Sequence, residues 1–143
     1  MLDAVTAYHQ DNWSAYWIKG KAYQALEQSR EACTEFKRAF DLQDKNPDVA
    51  REYMFECLNL GDGAEGLRAA RHAVSLDTQS PGLHANLALA YLVAGQPSAA
   101  IKAVDESLRL DPSDSISQNV RRVAQQILDG KRPIPKTLHE LGN

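Results

Sequence analysis

The sequence predicts an all-α fold, a stack of helical hairpins, and three observations carry that expectation. Residue types recur along the chain at a fixed 34-residue interval. Leu42, Leu76 and Leu110 share one column, as do Ala39, Ala73 and Ser107; Ala32, Gly66 and Ala100; and Tyr23, Cys57 and Tyr91. Gly61 and Gly95 repeat at the same interval, and so do Pro47 and Pro81. Within each unit, apolar residues fall three and four positions apart, as in Phe36, Ala39 and Phe40 or Leu87, Tyr91 and Ala94, the spacing of one helical face. No segment alternates with period two, so no sheet is expected.

Taken in order, a partial helix is expected at 2–9, either the second helix of an incomplete earlier unit or a short N-terminal cap. Helices then follow at 14–26, 29–42, 48–60, 64–76, 82–94, 97–110 and 115–128. Pro47, Pro81 and Pro97 suit first helical positions, where the missing N–H costs nothing. Gly61 and Gly95 fall where the chain must reverse between helices, a place that favours a residue tolerant of positive φ. Segment 115–128 has Ile116, Val120, Val123 and Ile127 on one face and Arg121, Arg122 and Gln125 opposite, the pattern of a terminal capping helix. Its stripe is out of phase with the preceding units, which implies either a rotated cap or a stripe turned toward the inner face. Gly130, Pro133 and Pro135 end it. The domain division is therefore 1–12 as partial helix or cap, 13–129 as three units (13–46, 47–80 and 81–114) plus the capping helix, and 130–143 as an extended or mobile tail. The tail's spaced apolar residues Ile134, Leu138 and Leu141 suit docking on the inner face of the same or a neighbouring molecule.

Short side chains at Gly20, Ala32, Ala88 and Ala100 mark the close approach of paired helices, and Tyr16, Tyr23, Phe36 and Tyr91 are expected to fill the gaps between neighbouring hairpins. This pattern resembles the tetratricopeptide repeat, whose signature W-x2-L-G-x2-Y…A-x3-F…P spans 34 residues. Unit one carries Gly20, Tyr23, Ala32, Phe36 and Ala39 in register, with Tyr16 in place of the Trp. Unit three carries Leu87, Tyr91, Ala100 and Pro112, with Ala88 in place of the Gly. Unit two is degenerate, keeping Ala73 and placing Met54, Cys57, Gly66 and Ala70 elsewhere. The resemblance implies a right-handed α–α superhelix whose concave groove, lined by the first helix of each hairpin, takes a peptide or partner helix. Its usual groove positions fall here on Trp17, Lys21, Gln24, Arg51, Glu52, Phe55, Leu58, Asn86, Leu89 and Leu92, with Ile18 and Val93 adding to an unusually apolar surface. Lys21, Arg51, Glu52 and Asn86 are expected to set the register of a ligand. Members that clamp a C-terminal carboxylate use cations and amides at positions matching Trp17, Lys21, Glu52, Gly82 and Asn86. Glu52 would repel that carboxylate, so this subtype is not expected.

Composition narrows the function further. The net charge is −3, with 43% hydrophobic and 24% charged residues, ordinary for a folded domain. No apolar run is long enough to span a membrane, so no insertion is expected. The N-terminus shows no secretory pattern, and two cysteines, Cys33 and Cys57, are too few for a disulfide framework, so a reducing, cytoplasmic location is expected. Arg121, Arg122, Lys131, Arg132 and Lys136 make the C-terminus basic, but without interleaved aromatics this is a weak nucleic-acid footprint. His9, His72, His84 and His139 have no metal-ligand spacing; His84 reads as a packed ring and Cys57 as buried filler. Cys33 has no His or helix start nearby to lower its pKa. Gly61-Asp62-Gly63 lacks the lysine of a phosphate loop and reads as a plain turn. No enzyme, cofactor or metal is expected. The expected function is a non-catalytic interaction scaffold with a protein or peptide partner. The alternatives are a homo-oligomerising assembly module and a bacterial secretion-type chaperone of the same repeat family.

Overall fold

The computed structural model describes residues 12–142; the partial helix expected at 2–9 lies outside them. Among the described residues seven α-helices follow one another: α1 Trp13–Ala25, α2 Ser29–Leu42, α3 Pro47–Asn59, α4 Gly63–Leu76, α5 Pro81–Val93, α6 Pro97–Leu110 and α7 Ser115–Leu128. These bounds match the periodicity to within one residue. A 3-10 helix, Leu138–Gly142, is the last element among the described residues.

Local chemistry sets the helix starts. Asn12, Asn46, Asp62, Ser80 and Asp114 each accept a backbone N–H of the first turn of the helix they precede. Pro47, Pro81 and Pro97 follow at the head of α3, α5 and α6. Gly61 and Gly95 adopt φ of +79° and +78° between the helices of hairpins two and three. The same column in hairpin one holds Glu27, at φ 58°. A side chain there strains a backbone that glycine adopts freely, so Glu27→Gly should stabilise the fold by about 0.5 kcal/mol, read as a raised urea midpoint.

The helices pair as α1–α2, α3–α4 and α5–α6, and each hairpin packs on the next; α7 closes the stack against α5 and α6. One apolar cluster unites the first two hairpins and the start of the third, with Phe36, Val49, Met54 and Leu58 fully enclosed. A second joins α5, α6 and α7 through Leu92, Val104, Val123 and Ala124. The cap's stripe thus faces hairpin three at Val120, Val123 and Ile127, while Ile116 stays exposed. Phe36 differs from its expected place. It fills the notch at Gly20 inside hairpin one, where a Cβ on Gly20 would lie 2.6 Å from its ring. The ring that bridges hairpins one and two is Tyr53, stacked on Phe40 at 5.5 Å between centroids. Its hydroxyl donates to Glu65 at 2.7 Å. Burial, then this bond, raises the Tyr53 pKa above its ordinary value, while Arg68 holds the Glu65 carboxyl below its own. Ser107, in a column that is otherwise alanine, donates to the Pro81 carbonyl at 2.8 Å and meets the Ser117 hydroxyl at 2.7 Å, a buried tie between α5, α6 and α7.

Candidate functional site

The first helices α1, α3 and α5 lie side by side, with α7 continuing the row. α3 packs on α5 and α5 on α7, and α1 reaches α3 through side-chain hydrogen bonds. This row has two chemically distinct halves.

The half between α1 and α3 is polar. Gln24 donates to Glu52 at 2.8 Å and to Glu56 at 3.1 Å. Lys21 and Arg51 approach Glu52 at 3.8 and 3.5 Å, and Arg51 also pairs with Asp48 at 3.3 Å. Asn59 donates to Glu56 at 3.5 Å. Glu52 is therefore the hub that holds both cations, and Glu56 is a buried second acceptor that spacing alone did not single out. The Lys21 ammonium also sits 5.7 Å from the centre of the Trp17 ring, and Trp17 leans on Phe36 at 5.5 Å. Trp17 is half-buried, whereas Lys21 is exposed.

The half between α3, α5 and α7 is apolar. Phe55, Asn86 and Leu89 are half-buried there. Two expected contact residues are not available: Leu58 is 0% and Leu92 1% exposed. They occupy one repeat column. Leu58 reaches the second helix of its hairpin, where Gly66 leaves room; a Cβ on Gly66 would lie 2.5 Å from Leu58. Leu92 belongs to the cluster that Ala100 joins from the equivalent position. A short residue on α4 or α6 draws the leucine of this column inward, so Leu58 and Leu92 form floor rather than contact surface. In hairpin one Gln24 fills the same column and bonds sideways to α3 instead.

The tail, expected to be extended or mobile, folds back over this half. From Gly130 it passes the hairpin turns, with Ile134 about 4.0 Å from the position of a Cβ on Gly95 and the Lys136 carbonyl 3.1 Å from one on Gly61. The 3-10 helix then lies against α3. Leu138 packs on the first apolar cluster, and Leu141 on both. Arg132 donates to the carbonyls of Glu140 at 3.0 Å and Leu141 at 3.4 Å, and the Lys136 N–H donates to the Glu140 carboxylate at 2.6 Å. A cleft of about 220 Å³ remains beside the two leucines, bounded by Leu89, Leu92, Ile116, Asn119, Val120 and Val123.

His84 is buried and its ring donates to the Thr78 carbonyl at 2.8 Å; His72 bonds the Asp44 carbonyl. Among the described residues no three His, Cys, Asp or Glu side chains converge on one point, and no helix is long and apolar enough to cross a membrane. Cys57 is buried, as expected, but Cys33 departs from expectation. The two thiols lie 3.9 Å apart across α2 and α3, and the hydrogen bond from Cys57 lowers the Cys33 pKa. The same hydrogen bond, then burial, raises that of Cys57.

Residues 14–46 match the Tetratricopeptide repeat family model. A comparison with curated proteins finds no match. Among solved structures, that of MamA is similar at a TM-score of 0.80 and 16% identity, over 98% of this chain and 80% of that one. YrrB, described as having an unusual peptide-binding site, aligns at 0.79 and 18%, covering 98% and 70%. The first repeat domain of Spaghetti (RPAP3), bound to an HSP90 peptide, aligns at 0.73 and 20%, covering 82% and 93%.

Proposed function

We propose that this tetratricopeptide-repeat solenoid, right-handed and built of three hairpins with a capping helix, is a non-catalytic interaction scaffold that receives a peptide or partner helix on its concave face. One observation carries the reading: the apolar half of that face, around Phe55 and Leu89, already holds a short chain segment, the tail turn at Leu138–Gly142. Solved structures of similar fold include one bound to an HSP90 peptide, which agrees with a groove that takes a peptide.

Two kinds of side chain divide the work. Trp17, Phe55 and Leu89 supply apolar area, worth on the order of 25 cal/mol per Å² removed from water, less the cost of ordering the ligand. Lys21, Gln24, Arg51, Glu52 and Asn86 supply polar register. Because Glu52 engages both Lys21 and Arg51, these cations are not open donors for a terminal carboxylate, which supports a ligand read through internal residues instead.

The test is partner capture with immobilised native chain against Phe55→Ala/Leu89→Ala. The double variant should keep its helical circular dichroism and weaken capture by about a hundredfold. Unchanged capture by a folded double variant would overturn the reading. The competing assembly reading predicts a mass that rises with concentration in light scattering; a constant monomer mass removes it.

A further inference from the structure

We propose that the apolar half of the groove, between α3, α5 and α7, is a site for a short peptide turn bearing two leucine-sized side chains three residues apart, and that the chain's own Leu138–Leu141 turn is the resident competitor such a partner displaces. The inference rests on the scaffold reading and names its ligand class.

The geometry of the tail identifies the class. In a 3-10 helix three residues complete a turn, so positions i and i+3 eclipse. Leu138 and Leu141 therefore project on one side, and both pack against the apolar clusters while His139 and Glu140 stay exposed. Their surroundings are apolar: Leu141 packs on the cluster that holds the buried Leu92 of α5 and Val120 and Val123 of α7, and both leucines line one cleft with these residues and Leu89. The polar ends of the turn are satisfied from within the tail. Arg132 takes the last carbonyls, and Glu140 takes the Lys136 N–H. The segment that docks is thus a self-contained unit, a turn with its own clasp, which an outside peptide can reproduce.

The fit also leaves room for displacement. Both leucines stay partly exposed, and the cleft beside them is unfilled by the tail. A tethered segment competes through its high effective concentration rather than through tight contacts, so a ligand that fills the cleft more completely gains where the tail does not. The exposed Ile116 at the rim of that cleft offers additional apolar surface to a longer ligand.

The experiment uses the full chain, with a fluorescent synthetic peptide of residues 131–142 as probe and anisotropy as readout. Against Leu138→Ala/Leu141→Ala the probe should bind about tenfold tighter than against the native chain, because the competitor is weakened. A probe carrying the same two alanines should not bind. Arg132→Ala, which loosens the clasp while keeping both leucines, should move affinity in the same direction and covers the case in which the double variant misfolds. Equal affinity for native and weakened chains, no binding to either, or equal binding of the alanine probe would each overturn the proposal. If these fail while Phe55→Ala/Leu89→Ala still defeats partner capture, the ligand class falls and the scaffold stands. If the double variant captures normally, the scaffold reading falls first.

Discussion

Replacing Phe36 with alanine is expected to cost about 4 kcal/mol and to loosen the first hairpin ahead of the others. The ring is fully enclosed, pressed into the notch that Gly20 leaves on α1 and against the tilted indole of Trp17. Alanine leaves a cavity that the helices cannot close without sliding along each other. A domain of this size has a net stability on the order of 5–15 kcal/mol, so the loss is a large share of the total. Stability in a repeat stack is a sum of unit and neighbour terms, which confines the first damage to the unit that holds the cavity. Urea unfolding should show the lower midpoint, and hydrogen exchange should show α1 and α2 losing protection while α5, α6 and α7 keep theirs. Uniform loss along the chain would contradict this distribution.

Gly63→Val should cost about 3 kcal/mol and separate the second hairpin from the third. Gly63 opens α4, and its α-carbon abuts the end of α5. A Cβ there would lie 2.8 Å from the Ala94 backbone N and Cα and 2.9 Å from the Val93 carbonyl carbon. Those are main-chain atoms, which cannot rotate aside. At Gly66, by contrast, an added methyl meets the Leu58 side chain, which has some freedom to yield. Both tryptophans, Trp13 and Trp17, sit in α1, so fluorescence follows the first hairpin while circular dichroism follows every helix. In the native chain the two transitions should coincide; in Gly63→Val they should part as the stack loses its cooperativity. Coincident curves in the variant would show that the hairpins accommodate the side chain.

Gly63 also marks a limit of reading by spacing. Next to Gly61 it looks like part of one reverse turn, and only Gly61 has the positive φ that such a turn requires. The need at Gly63 is for absent volume, set by a backbone 30 residues further on. The aromatics divide in the same way. That Phe36 packs inside was written in its helical face, but which gap it fills depended on where the small residues of the facing helix fell, and Tyr53, the ring that meets Phe40 across hairpins one and two, was not singled out by spacing. The candidate site was partly legible. Trp17, Phe55 and Leu89 stand on the inner row, as the repeat positions imply, and Lys21, Gln24, Arg51 and Glu52 do form a connected polar group. Leu58 and Leu92 carry the same kind of signal yet lie in the floor, since a position count gives a direction around the helix and not the depth of what it meets.

The chain's own residues, taken without coordinates, determined the seven helices found among the described residues, the prolines that open three of them and their order of stacking. Each of those choices is made over a few neighbours, by a side-chain oxygen accepting an early N–H, a proline at a first turn, or a face of apolar residues three and four apart. Tertiary structure alone decided which part of the inner face is open. That outcome sums contacts from segments far apart in sequence: hairpin turns with room for a passing strand, an arginine holding two carbonyls, and a 3-10 turn that brings Leu138 and Leu141 to one side. Burial is a property of the whole assembly of atoms, and so the tail could be placed only once the surface it covers existed.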